Sequence, residues 1–211
     1  MNNKNLWIFD LDNTLYSPDC GMFDYLNNRI NFYMIDKLNI NYGDVNNLRR
    51  RYFKEYGSTM MGLIKHHNID ADEFLENIHG IDITNFLKRE NDFVNFFKEI
   101  PGTKIIITNS PLFYAKNVIK VLGLESAIES IYDIKFMDYI GKPHLVSINK
   151  ILSKINIDKN NTFFIDDTIE NIISAKYLGF KTLYVNKENS LDKIDYYKDF
   201  LIPQLKRFYE D

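Results

Sequence analysis

Three short apolar runs constrain this chain most: Leu6-Trp7-Ile8-Phe9, Ile105-Ile106-Ile107 and Phe163-Phe164-Ile165. Apolar runs of this length without polar alternation mark strands buried on both faces, as in a parallel sheet covered by helices. After the first run the spacing changes. Phe23, Leu26, Ile30, Tyr33, Met34 and Leu38 recur at three- and four-residue intervals, as on an amphipathic helix. Further helices are expected over 45–56, ended by Gly57, and near 60–67, 71–79 and 91–99. The Pro101-Gly102 turn leads into a strand over 104–108, then a helix to Gly123 with Ser110 as N-cap and Pro111 in its first turn. A short strand over 131–136, a helix from Gly141-Lys142-Pro143 to about 155 and a strand over 162–165 follow. The rest reads as a helix over 168–179, a strand over 181–185 and a helix over 191–209 interrupted at Pro203. This alternation predicts an α/β fold, a Rossmann-like doubly wound parallel sheet. Residues 1–15 and 96–211 would form its core, and residues 16–95 a helical cap inserted after the first strand.

Such sheets bind ligands beyond the carboxyl ends of their strands, where the strand order reverses. Four polar groups follow apolar runs or open helices, and one crevice can collect them all: Asp10-Leu11-Asp12-Asn13-Thr14, Thr108-Asn109-Ser110, Lys142-Pro143 and Asp166-Asp167. Crowding carboxylates is costly, since two unit charges about 4 Å apart repel by roughly 4 kcal/mol at an effective dielectric near 20. Acids gathered beside one lysine therefore imply a bound cation, and carboxylate oxygens suit Mg²⁺. The four groups read together as a Mg²⁺-dependent phosphate-transfer centre.

Composition narrows the partners. The 211 residues carry a formal net charge of −3, which gives no pull toward nucleic acid polymers or anionic membranes. No apolar run approaches the roughly 20 residues that span a bilayer. The run at 6–9 is too short for a signal-peptide core, and a single cysteine, Cys20, suits a reducing compartment, so a cytoplasmic location is expected. The expected partner is a small phosphorylated metabolite.

The four motifs, in this order and with helices between the first two, resemble the haloacid dehalogenase-like hydrolase superfamily. That resemblance implies that Asp10 is a nucleophile forming an aspartyl-phosphate and that Asp12 is a general acid–base. Thr108 would bind phosphoryl oxygens with the Asn109 and Ser110 amides, and Lys142 would hold Asp10. Asp10, the Asp12 carbonyl and Asp167 would ligate Mg²⁺, with Asp166 supporting them; Asn171 stands where many relatives carry a further acid. Thr14 belongs to the first motif and is expected near the substrate.

Tyr52, Tyr56-Gly57-Ser58-Thr59 and Gly62-Leu63 with His66-His67 are similar to the cap of pyrimidine 5′-nucleotidase-like phosphatases. This implies a nucleoside monophosphate such as UMP or CMP as substrate, with Tyr56 and Thr59 among its contacts. Phosphatases of sugar phosphates or phosphoglycolate share the same motifs, and a receiver domain carrying a stable phospho-Asp uses similar residues in another order. His66-His67 reads as ordinary histidines, and Arg49-Arg50-Arg51 as an exposed basic helix face.

Overall fold

The structure is a computed structural model and describes residues 5–155, 158–186 and 195–210. Its centre is β1 (Leu6–Phe9), whose four residues are all buried. Parallel pairing places β2 (Thr103–Ile107) on one side of β1 and β4 (Thr162–Asp166) on the other. The edge strands are β3 (Ser130–Tyr132) and β5 (Lys181–Tyr184), giving the order β3-β2-β1-β4-β5. The order reverses between β1 and β4, the position where doubly wound sheets bind ligands.

Period-two side-chain geometry divides β1 between two apolar layers. Trp7 and Phe9 enter one core with Phe97 and Phe163, while Leu6 and Ile8 enter the other with Phe164, Ile148 and Ile172. Trp7 stacks on Phe163 at 4.3 Å between ring centroids, and its Nε1 donates to the Pro101 carbonyl at 2.9 Å. Each fully buried Phe or Ile of this kind stabilises the fold by about 1.5–3 kcal/mol.

Between β1 and β2 the chain forms α1 (Met22–Asp36), α2 (Val45–Tyr56), α3 (Thr59–His67), α4 (Ala71–His79) and α5 (Asn91–Glu99). The remaining helices are α6 (Leu112–Leu122), α7 (Leu145–Leu152), α8 (Ile169–Tyr177) and α9 (Ile202–Glu210), the last preceded by a π-helical turn at Tyr196–Leu201. No helix among the described residues is long and apolar enough to cross a membrane.

Two local expectations are corrected. Ser110 does not cap α6. Its hydroxyl donates to Asp12 instead, and the Asp133 carboxylate accepts from Leu112 N at 3.0 Å in its place. Asp133 also accepts from Phe136 N, which curls the chain away and ends β3 at Tyr132 rather than at residue 136. Pro203 stands where the π-helical turn at Tyr196–Leu201 gives way to α9, so the helical run changes form beside it, as its missing N–H leads one to expect. The start expected at residue 191 lies outside the described residues.

Candidate active site

The carboxyl ends of the strands deliver the polar groups. Asp10 follows β1, Thr108 follows β2, Asp166 closes β4 with Asp167 next, and Lys142 stands on the loop before α7. Asn13 adopts a left-handed φ of 59°, which Asn tolerates better than most residues. The turn it makes is closed by Thr14 N and Leu15 N donating to the Leu11 carbonyl. The Lys142 loop is held by Asn109, whose Oδ1 accepts from Lys142 N at 2.8 Å and whose Nδ2 donates to Lys142 O at 2.9 Å. Gly141, at φ 77°, is required there, because a Cβ would press into the Asn109 side chain.

Lys142 is buried, and its Nζ donates to Asp10 Oδ1 at 2.6 Å and to Asp166 Oδ2 at 2.7 Å. Asp166 also accepts from Thr168 N at 2.8 Å and from Asn171 Nδ2 at 2.9 and 3.0 Å, so its charge is well satisfied. Asp10 and Asp167 are not. Burial pushes the Asp10 carboxyl well up, Lys142 opposes this, and Asp166, Asp167 and Asp12 add to the rise. Asp167 is pushed up to about 6, by burial first and then by Asp166. Burial by itself would lower the Lys142 ammonium, but its two carboxylate partners outweigh that and raise it. One ammonium among Asp10, Asp166 and Asp167 leaves the centre short of positive charge.

Carboxylate oxygens of Asp10, Asp166 and Asp167 lie within 4.8 Å of one another, and such hard donors suit Mg²⁺. The Asn171 amide oxygen is buried without a partner among the described residues, leaving an acceptor open for water beside them. These residues fit the ion that the sequence implied.

Asp12 is clamped. Tyr16 and Tyr114 donate to its Oδ1 at 2.5 and 2.7 Å, and Ser110 Oγ donates to its Oδ2 at 2.6 Å. Burial and then the Asp12 charge raise both phenols above their ordinary pKa, so both stay protonated as donors. Neither phenol was anticipated: Tyr114 lies 102 residues from Asp12, and Tyr16, only four residues from it, carries no motif that marks its hydroxyl. From the far end of the chain, Tyr196 donates to the Thr14 carbonyl at 2.8 Å and Tyr197 to the Leu15 carbonyl at 3.2 Å, bracing the loop after β1.

Beside Tyr114, His79 packs edge-on at 5.0 Å between ring centroids, and its Nδ1 donates to the Leu75 carbonyl at 3.1 Å. Burial pushes this imidazole down to about 4, against the opposing pull of Asp12 and the Leu75 bond. An unfolded chain protonates His79 near 6.5, so the folded state holds fewer protons between those values. The stability contributed by neutral His79 is complete above pH 6.5 and lost as pH falls toward 4. The loss should reach about 2.5 kcal/mol at pH 4.5. Urea unfolding at pH 7 and pH 4.5 checks this: wild type should lose that much more stability than His79→Gln.

A cavity of about 740 Å³ opens over these groups and is walled by Asp10, Asp12, Thr108, Asn109, Ser110, Lys142 and Asp167. Thr59 also lines it. Two other expected substrate contacts do not. Thr14 is fully buried behind the turn, its Oγ1 without a partner among the described residues, and the Tyr56 hydroxyl is bound to His66 Nε2 at 2.8 Å. The phenyl rings in the wall are instead Phe23, Phe53 and Phe74, with the imidazoles of His79 and His144, and Arg49 joins them, so the basic face of α2 is not wholly exposed. The Ser110 amide, expected to meet phosphate, donates to Thr108 Oγ1 at 3.0 Å, which leaves the Thr108 hydroxyl proton free to point elsewhere.

A sequence model of the haloacid dehalogenase-like hydrolase family matches residues 5–179. The chain belongs to this family. Phosphate metabolism protein 8 of Saccharomyces cerevisiae is 24% identical over 194 residues, which cover 83% of this chain and 60% of that protein. The chain thus spans three fifths of the length of this curated relative. Among solved structures, a HAD phosphatase from Thermococcus onnurineus matches with a TM-score of 0.61 at 13% identity, over 96% of both chains. The magnesium-bound HAD hydrolase YfnB from Bacillus subtilis matches over 100% of both chains with a TM-score of 0.56 at 15% identity. At these identities the structural likeness establishes a shared HAD fold, and the four motif groups of this hydrolase occupy one crevice within it.

Proposed function

We propose that this hydrolase is a Mg²⁺-dependent phosphomonoesterase acting through an aspartyl-phosphate, with pyrimidine nucleoside monophosphates such as CMP and UMP as substrates. One observation carries the reading: a buried lysine bonded to Asp10 and Asp166, with Asp167 beside them, at the floor of a cavity also walled by Asp12 and Thr108. The names of the yeast and Thermococcus relatives, and the magnesium bound to YfnB, support it.

Lys142 holds Asp10 Oδ1, which leaves Oδ2 to attack phosphorus. As that bond forms, the bond from phosphorus to the ester oxygen breaks, and Asp12, which must carry a proton once the ester is bound, gives it to the departing oxygen. In the second step Asp12 takes a proton from water, whose oxygen attacks phosphorus. The bond to Asp10 breaks, and inorganic phosphate and the free carboxylate result. Thr108 donates to phosphoryl oxygens, and Lys142 offsets the charge that grows on them. Mg²⁺ held by Asp10, Asp167 and the Asp12 carbonyl would act as a Lewis acid toward the phosphoryl group. Helices α1–α4 serve as a cap, residues 16–95, that covers the cavity and selects the alcohol part of the ester. The roughly 740 Å³ enclosed lies within the range of small-molecule pockets.

Turnover of CMP, UMP, phosphoglycolate and sugar phosphates, measured with Mg²⁺ and with EDTA, tests the reading. The nucleotides should lead in kcat/KM, EDTA should reduce release of phosphate to background, and added Mg²⁺ should restore it. Equal rates in EDTA would refute the metal dependence, and a lead for phosphoglycolate would refute the nucleotide assignment.

A further inference from the structure

One face of α2 turns two unlike side chains into the cavity. Phe53 keeps 64% of its surface exposed although it lines the wall, and no ring stacks on it among the described residues. Arg49 lies one helical turn earlier, at the i, i+4 spacing that makes side chains neighbours. Its Nη1 donates to the Asn27 carbonyl at 3.1 Å and to Asn31 Oδ1 at 2.8 Å, and its Nη2 donates to Asn27 Oδ1 at 2.6 Å.

A guanidinium has five N–H donors in one plane. The three bonds fix that plane and leave Nε–H and one Nη2–H without a partner among the described residues. No carboxylate pairs with Arg49 among those residues either, and burial draws its pKa down from the ordinary arginine value. A half-buried cation without a counter-charge and an aromatic face left to water are both unfavourable. A flat ligand with acceptor atoms on its edge relieves both at once, by stacking on the ring and accepting from the fork.

We propose that Arg49 and Phe53 form a leaving-group subsite for a planar heterocycle, which stacks on Phe53 and directs edge acceptors at the two open donors of Arg49. The carbonyl oxygens of a pyrimidine base have this chemistry; a sugar or a simple carboxylate would use Arg49 alone and gain nothing from Phe53. The assignment rests on the phosphomonoesterase reading and makes the base, not the ribose, the group that α2 recognises.

The test compares kcat/KM for CMP, UMP and ribose 5-phosphate with Mg²⁺ in wild type, Phe53→Ala and Arg49→Lys. Stacking and a paired hydrogen bond each correspond to a tenfold or larger preference, so wild type should favour the nucleotides over ribose 5-phosphate by at least about tenfold. Each variant should reduce that ratio by roughly tenfold. Phe53 is mostly exposed, so its truncation spares the fold, while Arg49→Lys keeps the charge and removes the fork. A nucleotide preference unmoved in both variants would overturn the subsite. So would a wild type that hydrolyses ribose 5-phosphate as well as the nucleotides; both results leave the phosphatase chemistry standing. Absence of Mg²⁺-dependent turnover on all three esters would overturn the underlying reading as well.

Discussion

Replacing Asp10 by Asn should cut kcat by a factor on the order of 10⁴ or more, because the amide cannot form the acyl phosphate on which both half-reactions of the proposed mechanism depend. The fold should survive. Asp10 is a buried carboxyl raised by its own burial and by three neighbouring acids, so a neutral isostere relieves repulsion while Lys142 keeps its bond to Asp166. Stability in urea should therefore stay within about 1 kcal/mol of wild type, which separates lost chemistry from lost structure. Acid quenching during turnover should recover phosphate bound covalently to the wild-type chain and none bound to Asp10→Asn. Retention of even one hundredth of wild-type kcat by the variant would remove Asp10 from the role of nucleophile.

Lys142→Met should damage activity and fold together. The side chain is buried between Asp10 and Asp166, at 2.6 and 2.7 Å. Methionine fills much of the same volume but leaves two buried carboxylates facing each other without a cation. Breaking a buried pair in this way destabilises by about 3–5 kcal/mol at neutral pH. The deficit should shrink as the solution is acidified, since protonation of the orphaned acids removes the charges that are poorly housed. Urea unfolding at pH 7.5 and pH 5 measures both parts. A variant as stable as wild type at pH 7.5 would mean that Lys142 is not the counter-charge of this centre.

The strands and most helices were legible because each is dictated by local pattern. The runs at 6–9, 105–107 and 163–165 are apolar on both faces, and α2, α4 and α5 begin and end where periodicity and, for α2, Gly57 place them. The acids and Lys142 were legible for a related reason: each stands at the end of a buried strand or the start of a helix. What depended on distant partners was not. Ser110-Pro111 has the form of a helix cap, yet the hydroxyl is taken by Asp12, 98 residues away, and Asp133 supplies the cap. Tyr16 and Tyr114 belong to no motif, and only the folded chain brings their hydroxyls to one carboxylate. On α2 the error was one of phase. Tyr52 and Tyr56 share one face and bond to His67 and His66, whereas Arg49 and Phe53, shifted by about one residue, face the cavity.

The family match ends at Gly179, yet the turn that carries Asp10 and Asp12 is propped from residues 196 and 197. A boundary drawn where the recognisable motifs stop would keep every acid and the lysine but discard two phenols that hold their loop in shape. Tyr196 and Tyr197 are thus part of the candidate site's scaffold, and their loss should resemble a defect in catalysis more than the removal of a tail.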